Sequence, residues 1–394
     1  MTQLKEHITS IDIMRGLTLF LMLFVNDLYV PGVPKWLVHT AAQEDGMGLA
    51  DWVFPGFLFM VGLSIPFAFK ARRGKGESDA ALARHILTRS LSLLIIGVFM
   101  VNVGRYDQES AMLPKNLWAI LVYVSVFLIW NRYPKVPEKK NFYTGLRLFG
   151  VTGLLFLAIV FQSDDPGHPN MNTSWWGILG LIGWGYLAAA FCYLLSRGKW
   201  LPMMLVVGLF LLLNVLGSAN LVVFPPFLSG ALGVILKGSV PFLVSSGVLT
   251  GMALDRRKSD SSFLLYLVLA GILSLGLGFL FRNWFIISKI LATPSWGLIC
   301  TGISLLVFSL IFFFFEKKPD RLVLKPFVLA GQNSLTTYLA PDIIYYILWT
   351  LPFHVLFYKQ DQSALFAVIG SLGWSLLMVF MVKALTRIPI KLKL

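Results

Sequence analysis

Apolar stretches of 16–22 residues recur along the whole chain, separated by short polar links. Each is long enough, or nearly so, to cross a hydrocarbon layer as a helix. The pattern predicts spans at 14–30, 51–70, 87–103, 115–131, 145–162, 175–194, 200–218, 238–254, 262–281, 297–316, 327–349 and 364–384. The expected fold is all-α: one polytopic transmembrane helix bundle over residues 1–394, with about 10–12 spans. The segment 219–237 is apolar but interrupted by Pro225–Pro226, and reads as a re-entrant or interfacial helix. No internal repeat is evident.

Composition strengthens this reading. The chain is 57% hydrophobic and only 13% charged, with a mean hydropathy of +0.76, far above a soluble domain. The net charge of +14 marks topology rather than nucleic-acid binding. Basic clusters at 70–76, 131–140, 196–199, 255–258, 316–325 and 383–394 fall in alternate links. Of the 33 Lys and Arg, those on the opposite side are Lys35, Arg105, Lys115, Lys237, Arg282, Lys289 and Lys359. The positive-inside rule then puts both termini in the cytoplasm and the loop carrying His39 outside. Cys192 and Cys300 fall inside predicted spans and offer no metal-ligand pair. Small residues such as Gly56, Gly62 and Ser64 permit close helix packing, which is compatible with a homodimer.

The first helix opens with TSIDIMRG, where Asp12 and Arg15 share a face at i, i+3. Only the nine residues LTLFLMLFV separate Gly16 from Asn26. Nine residues rise about 15 Å against a core about 30 Å thick. Either Arg15 or the Asn26–Asp27 pair is therefore expected below a membrane surface, lining a narrow polar passage. His39 lies in the next loop, and Asn26, Asp27 and Asp51 come from the two helices that this loop joins. An imidazole can take a proton from an attacking amine or hydroxyl, a carboxylate can fix its tautomer, and an Asn amide can donate to an oxyanion. No metal-ligand spacing, nucleophile elbow or P-loop is present.

SIDIMRGLTLFLMLFVND, then the loop His39, then GLADWVFPGFLFMVGLSIPF resembles the heparan-α-glucosaminide N-acetyltransferase family of membrane acyltransferases. The matching positions are Ser10, Asp12, Arg15, Gly16, Asn26, His39, Ala50, Asp51, Val53, Phe54, Pro55, Phe57, Phe59, Gly62 and Ser64. GQNSLTTYL at 331–339 is similar to a second family motif. The resemblance implies transfer of an acetyl group from cytosolic acetyl-CoA to an amino sugar or glycan on the outer face. His39 would be general base or acetyl carrier, Asn26 would orient the thioester, and Asp51 would complete the catalytic group. The chain looks like a prokaryotic homologue, placed in a bacterial inner membrane with the His39 loop periplasmic. The region 105–172 looks like an extra helix pair relative to the family.

The phosphates of CoA need cations, and Arg15 and Arg89 are best placed; Asp12, Asn333 and Ser334 are further donor-site candidates, though Asn333 and Ser334 can equally hydrogen-bond between helices. Acceptor candidates are Asp27, Trp175, Lys289, Trp296 and Tyr338. Interfacial Trp is common in any membrane protein, so the tryptophans carry little by themselves. The alternative reading is a transporter or flippase, which predicts broken helices and mid-membrane substrate groups.

Overall fold

A computed structural model describes residues 8–257, 262–316, 324–353, 355–387 and 390–394. His7, His354 and the charged links 258–261 and 317–323 lie outside them. In chain order the helices are α1 (Thr9–Asp27), α2 (Leu49–Arg73), α3 (Asp79–Val103), α4 (Lys115–Trp130), α5 (Lys140–Ile159), α6 (Gly177–Ser196) and α7 (Trp200–Ser218). They continue as α8 (Pro226–Leu236), α9 (Ser239–Arg257), α10 (Ser262–Phe281), α11 (Pro294–Phe315), α12 (Lys325–Gln332), α13 (Ser334–Trp349) and α14 (Ala364–Arg387).

Every predicted span is helical. Among the described residues nine helices are long and apolar enough to cross a bilayer, so the chain is an integral membrane protein. The difference from twelve lies in α4, which is shorter at 16 residues, in α9, and in the eleventh stretch, which is divided into α12 and α13. The helix α1 begins at Thr9, where TSIDIMRG opens, ahead of the apolar span from Met14, and has 19 residues, a rise of about 28 Å. It is long enough to span because the polar turn with Asp12 and Arg15 lies inside it. The 219–237 segment forms α8, 11 residues starting at Pro226, too short to span.

The bundle is built around α2. Its Val53, Leu58, Phe59, Met60 and Leu63 are fully buried, packed by α1, α6, α9 and α11. By contrast α5 and α7 bury little, and expose Phe149, Leu155, Leu205 and Leu209. Apolar side chains turned outward are what a lipid-facing helix requires. One end of the bundle carries Thr9 and Arg73 and is here the basic end. The opposite end carries His39.

The break between α12 and α13 falls at Asn333. The helix α12 lies against α1, and at Gly16 and Gly331 the two backbones approach closely. A Cβ at Gly331 would stand 2.2 Å from the Asp12 carbonyl oxygen, and one at Gly16 would stand 1.9 Å from that of Phe327. These two contacts make α12 antiparallel to α1. Gly331→Val is expected to lower stability by about 1–3 kcal/mol through overpacking. An unchanged Tm of the detergent-solubilised protein would disprove this close approach.

Candidate active site

The loop from α1 to α2 is folded onto the start of α2 by Gly48. A Cβ there would lie 2.0 Å from the Val38 carbonyl oxygen, so only glycine lets Trp36–Val38 rest on the helix start. This brings His39 to Asp51 in the first turn of α2. The His39 Nδ1 is 2.7 Å from Asp51 Oδ1, while Asp51 Oδ2 accepts the N–H groups of Thr40 and Gly48, both at 3.0 Å. The carboxylate therefore closes the helix N-terminus, pins the loop and holds the ring at once. An Asp51 carboxylate accepting from Nδ1–H leaves Nε2 as the proton acceptor. Asp51 is buried, with 1% exposure, whereas the His39 side chain is 49% exposed. From below, Trp296 Nε1 donates to the Asp51 carbonyl oxygen at 3.0 Å.

A second loop, between α10 and α11, meets this one. Asp45 accepts from Arg282 Nε and from the Ile287 N–H, each at 2.8 Å. Gly46 N–H donates to the Ile287 carbonyl at 3.0 Å, and Ser288 Oγ donates to Ala42 at 2.8 Å. The stitched loop places Lys289 Nζ 3.2 Å from His39 Nδ1 and 3.3 Å from Nε2, and 3.3 Å from the Ala50 carbonyl oxygen. Burial pulls the Lys289 ammonium down to about 8, against the opposing pull of Asp51.

The Asp45 carboxyl is held below its usual range, first by the Ile287 N–H and then by Arg282. A depressed carboxylate stabilises the fold above its unfolded pKa, about 3.9, and that contribution is lost as pH falls through the folded value. The two loops should thus stay joined at neutral pH and loosen only below about pH 4. At pH 7, Asp45→Ala is expected to speed amide exchange at Gly46 and Ile287 about tenfold, from roughly 1.4 kcal/mol of lost hydrogen bonding. Unchanged exchange at both amides would show that Asp45 does not hold them.

At the end of α1, Asp27 is 1% exposed. Its carboxylate accepts the hydroxyls of Tyr345 and, at 2.9 Å, Tyr358, and pairs with Lys359 Nζ at 2.8 Å. This cage ties α1 to α13 and to the 350–363 loop, and leaves Asp27 little capacity for an acceptor. Asn26 beside it is exposed, and its side chain has no hydrogen bond among the described residues.

A cavity of about 1540 Å³ opens at the basic end between α1, α2, α3, α6 and α13. Arg15, Arg89, Asp12, Asn333, Ser334 and Tyr338 all line it. Arg15 is fixed by Ser64 Oγ at 2.5 Å, the Gly331 carbonyl oxygen at 3.3 Å and Asp12 Oδ1 at 3.4 Å. The Arg89 guanidinium lies 4.7 Å over the Tyr186 ring. Two buried polar atoms on this wall, Arg89 Nε and Asn333 Oδ1, have no hydrogen-bond partner among the described residues. Lys70, Lys75, Arg256 and Lys393 add charge to the lining. The Lys393 ammonium is lowered by burial and by Arg132, Arg72, Lys75 and Lys391, which crowd around it. Leu19, Met22 and Phe57 give the lining an apolar part. His39, Asp51 and Lys289 are not among its lining residues, so this cavity is not by itself the expected continuous polar passage.

Of the two tryptophans considered for an acceptor, Trp175 is 54% exposed and Trp296 only 3%. The latter supports Asp51 and offers no open ring face. Sequence reasoning missed Gln332, whose Nε2 donates to Asp12 Oδ2 at 3.0 Å, the Asp45 staple, and the Tyr345–Tyr358–Lys359 cage. The Gln332–Asn333 pair inside an apolar stretch was the one visible sign of a break.

The heparan-alpha-glucosaminide N-acetyltransferase of Mus musculus is 33% identical over 138 residues, 33% of this chain and 20% of that protein. The protein of the same name from Homo sapiens is 35% identical over 102 residues, 26% of this chain and 15% of its own length. The aligned part is thus a fifth or less of these curated relatives, and the relationship is distant. The family described as "Domain of unknown function (DUF5009)" matches residues 7–251, which hold α1 to α8, both ends of the His39 loop and most of the cavity wall. Matched over more than half of its length, the chain belongs to the DUF5009 family, with distant similarity to the heparan-alpha-glucosaminide N-acetyltransferases.

Proposed function

We propose that the chain is a membrane acyltransferase that moves an acetyl group from acetyl-CoA at the basic end to an amino sugar or glycan at the His39 end. The observation that carries this reading is the His39–Asp51 pair, with Nδ1 held at 2.7 Å and the ring half exposed. The residues present fit the donor. Arg15, Arg89, Lys70, Lys75 and Lys393 line one cavity and would hold phosphates. Asn333 Oδ1, an acceptor with no partner among the described residues, would take an amide N–H of the pantetheine arm. When bound, acetyl-CoA supplies an activated acyl thioester. His39 takes the amine proton at Nε2, or carries the acetyl group itself in a two-step scheme. Asp51 holds the ring, and the exposed Asn26 amide donates to the developing oxyanion. Positive-inside asymmetry supports a cytoplasmic basic end and a periplasmic His39 loop in a bacterial inner membrane.

One observation favours a second reading, a transporter or flippase: the eleventh apolar stretch is broken at Asn333 on the cavity wall. Purified protein in vesicles, given labelled acetyl-CoA and a panel of amino sugars, separates the two. Label on a sugar supports the acyltransferase. Sugar crossing the vesicle wall unlabelled supports the transporter.

A further inference from the structure

Lys289 stands beside the place of an acceptor amine. An acceptor served by His39 needs its nitrogen on the Nε2 lone pair; Lys289 Nζ lies against the ring, 3.3 Å from Nε2 and 3.2 Å from Nδ1, and its flexible arm has only to swing toward the Nε2 side. Its remaining hydrogen-bond neighbour is the Ala50 carbonyl oxygen, and the Asp51 carboxylate acts on it through charge. The loop that carries it is stitched to the His39 loop through Asp45, Gly46 and Ser288, so the approach is built into the fold.

We propose that Lys289 Nζ is an internal acetyl acceptor, acetylated by a thioester donor when no outer amine displaces it. The inference rests on the acyltransferase reading for its natural donor. The neutral Nζ forms a bond to the acyl carbon, and the C–S bond breaks with its electron pair leaving on sulfur. The proton lost from Nζ passes through His39 Nε2 to the thiolate. The products are Nζ-acetyl-lysine and free thiol. The lowered Lys289 ammonium, at about 8, makes the neutral amine available near neutral pH. The titratable groups that face it are Asp51 from α2, Cys300 from α11 and His39 from the loop. An amide is a poorer acyl donor than a thioester, so the acetyl group goes no further. Acetylation removes the positive charge and fills the space beside His39, which silences the site. An acceptor amine protects against this by occupying the same place.

The test uses the purified full chain without acceptor and two donors. One is acetyl-CoA. The other is S-acetyl-N-acetylcysteamine, a small thioester that needs no nucleotide site. Peptide mass spectrometry follows acetylation of Lys289 against Lys35, an exposed lysine of the same face. The expected result is labelling of Lys289 about tenfold or more faster than Lys35, falling to the Lys35 rate in His39→Ala and in Asp51→Asn. Labelling by the small thioester alone upholds the inference and overturns the acetyl-CoA reading. Transfer from acetyl-CoA to an added amino sugar, with Lys289 unlabelled in the acceptor-free arm, overturns the inference and leaves the acyltransferase. If neither donor labels Lys289 faster than Lys35, the inference is wrong whatever the fate of that reading.

Discussion

His39→Ala is expected to lower acetyl transfer by about 10²–10⁴-fold, the range for loss of a positioned general base, while acetyl-CoA binding stays intact. The separation of the two effects follows from geometry. The imidazole sits at one end of α1 and α2, held by Asp51 at 2.7 Å, and is absent from the wall of the basic-end cavity. A base acts in the transition state and contributes little to ground-state affinity for a donor held elsewhere. Initial rates of label transfer give the first quantity, and calorimetric titration with CoA gives the second. Asp51→Asn should follow in the same direction, because the amide can no longer serve as the anion for Nδ1–H. It should also loosen the loop, since Asp51 Oδ2 accepts from Thr40 and Gly48. A His39→Ala protein that turns over at the wild-type rate would remove the imidazole from the chemistry altogether.

Arg15→Gln carries the second large effect, on donor affinity. The guanidinium is fixed on three sides, by Ser64, Gly331 and Asp12, and faces the cavity with about a fifth of its side chain exposed, at 20%. Truncating one partner of a largely buried, hydrogen-bonded charge pair costs about 2 kcal/mol or more, or roughly 30-fold in affinity. Part of that loss is Asp12, which would face an anionic ligand without Arg15 beside it. Arg15→Lys should recover only part of the affinity, because a single ammonium cannot reproduce the forked contacts to Ser64 and Gly331. Titration of CoA into each variant, with Tm as the check on folding, gives the measurement. A folded Arg15→Gln protein with unaltered CoA affinity would move the donor to another site.

The helical architecture was legible because each span is one local run of apolar residues, and the twelve runs reappear as helices. The His39–Asp51 contact was legible for a related reason: both residues flank one short loop, so closure of that loop brings them together. Arg15 and Arg89 share a cavity wall, in keeping with their placement near the basic helix ends, and Asn333 lines the same wall. What remained hidden depends on pairings between distant parts of the chain. The Asp45–Arg282 link joins loops 237 positions apart, and Asp27 meets Tyr358 across 331. No periodicity records such partners. The fate of Trp296 was unreadable for the same cause, because an indole at a helix start looks alike whether it faces sugar, lipid or the Asp51 carbonyl. The cover that α12 gives Asp12 and Arg15, through Gln332 and Gly331, was hidden for the same reason.

The apolar lining of Leu19, Met22 and Phe57 on the cavity wall has a bearing on the cell as a whole. A water-filled bore through an energised membrane would let protons and sodium run down their gradients. Greasy side chains along the wall raise a dehydration barrier for hydrated ions, which favours the electrical insulation of the membrane even though charged residues line the same cavity from the basic end.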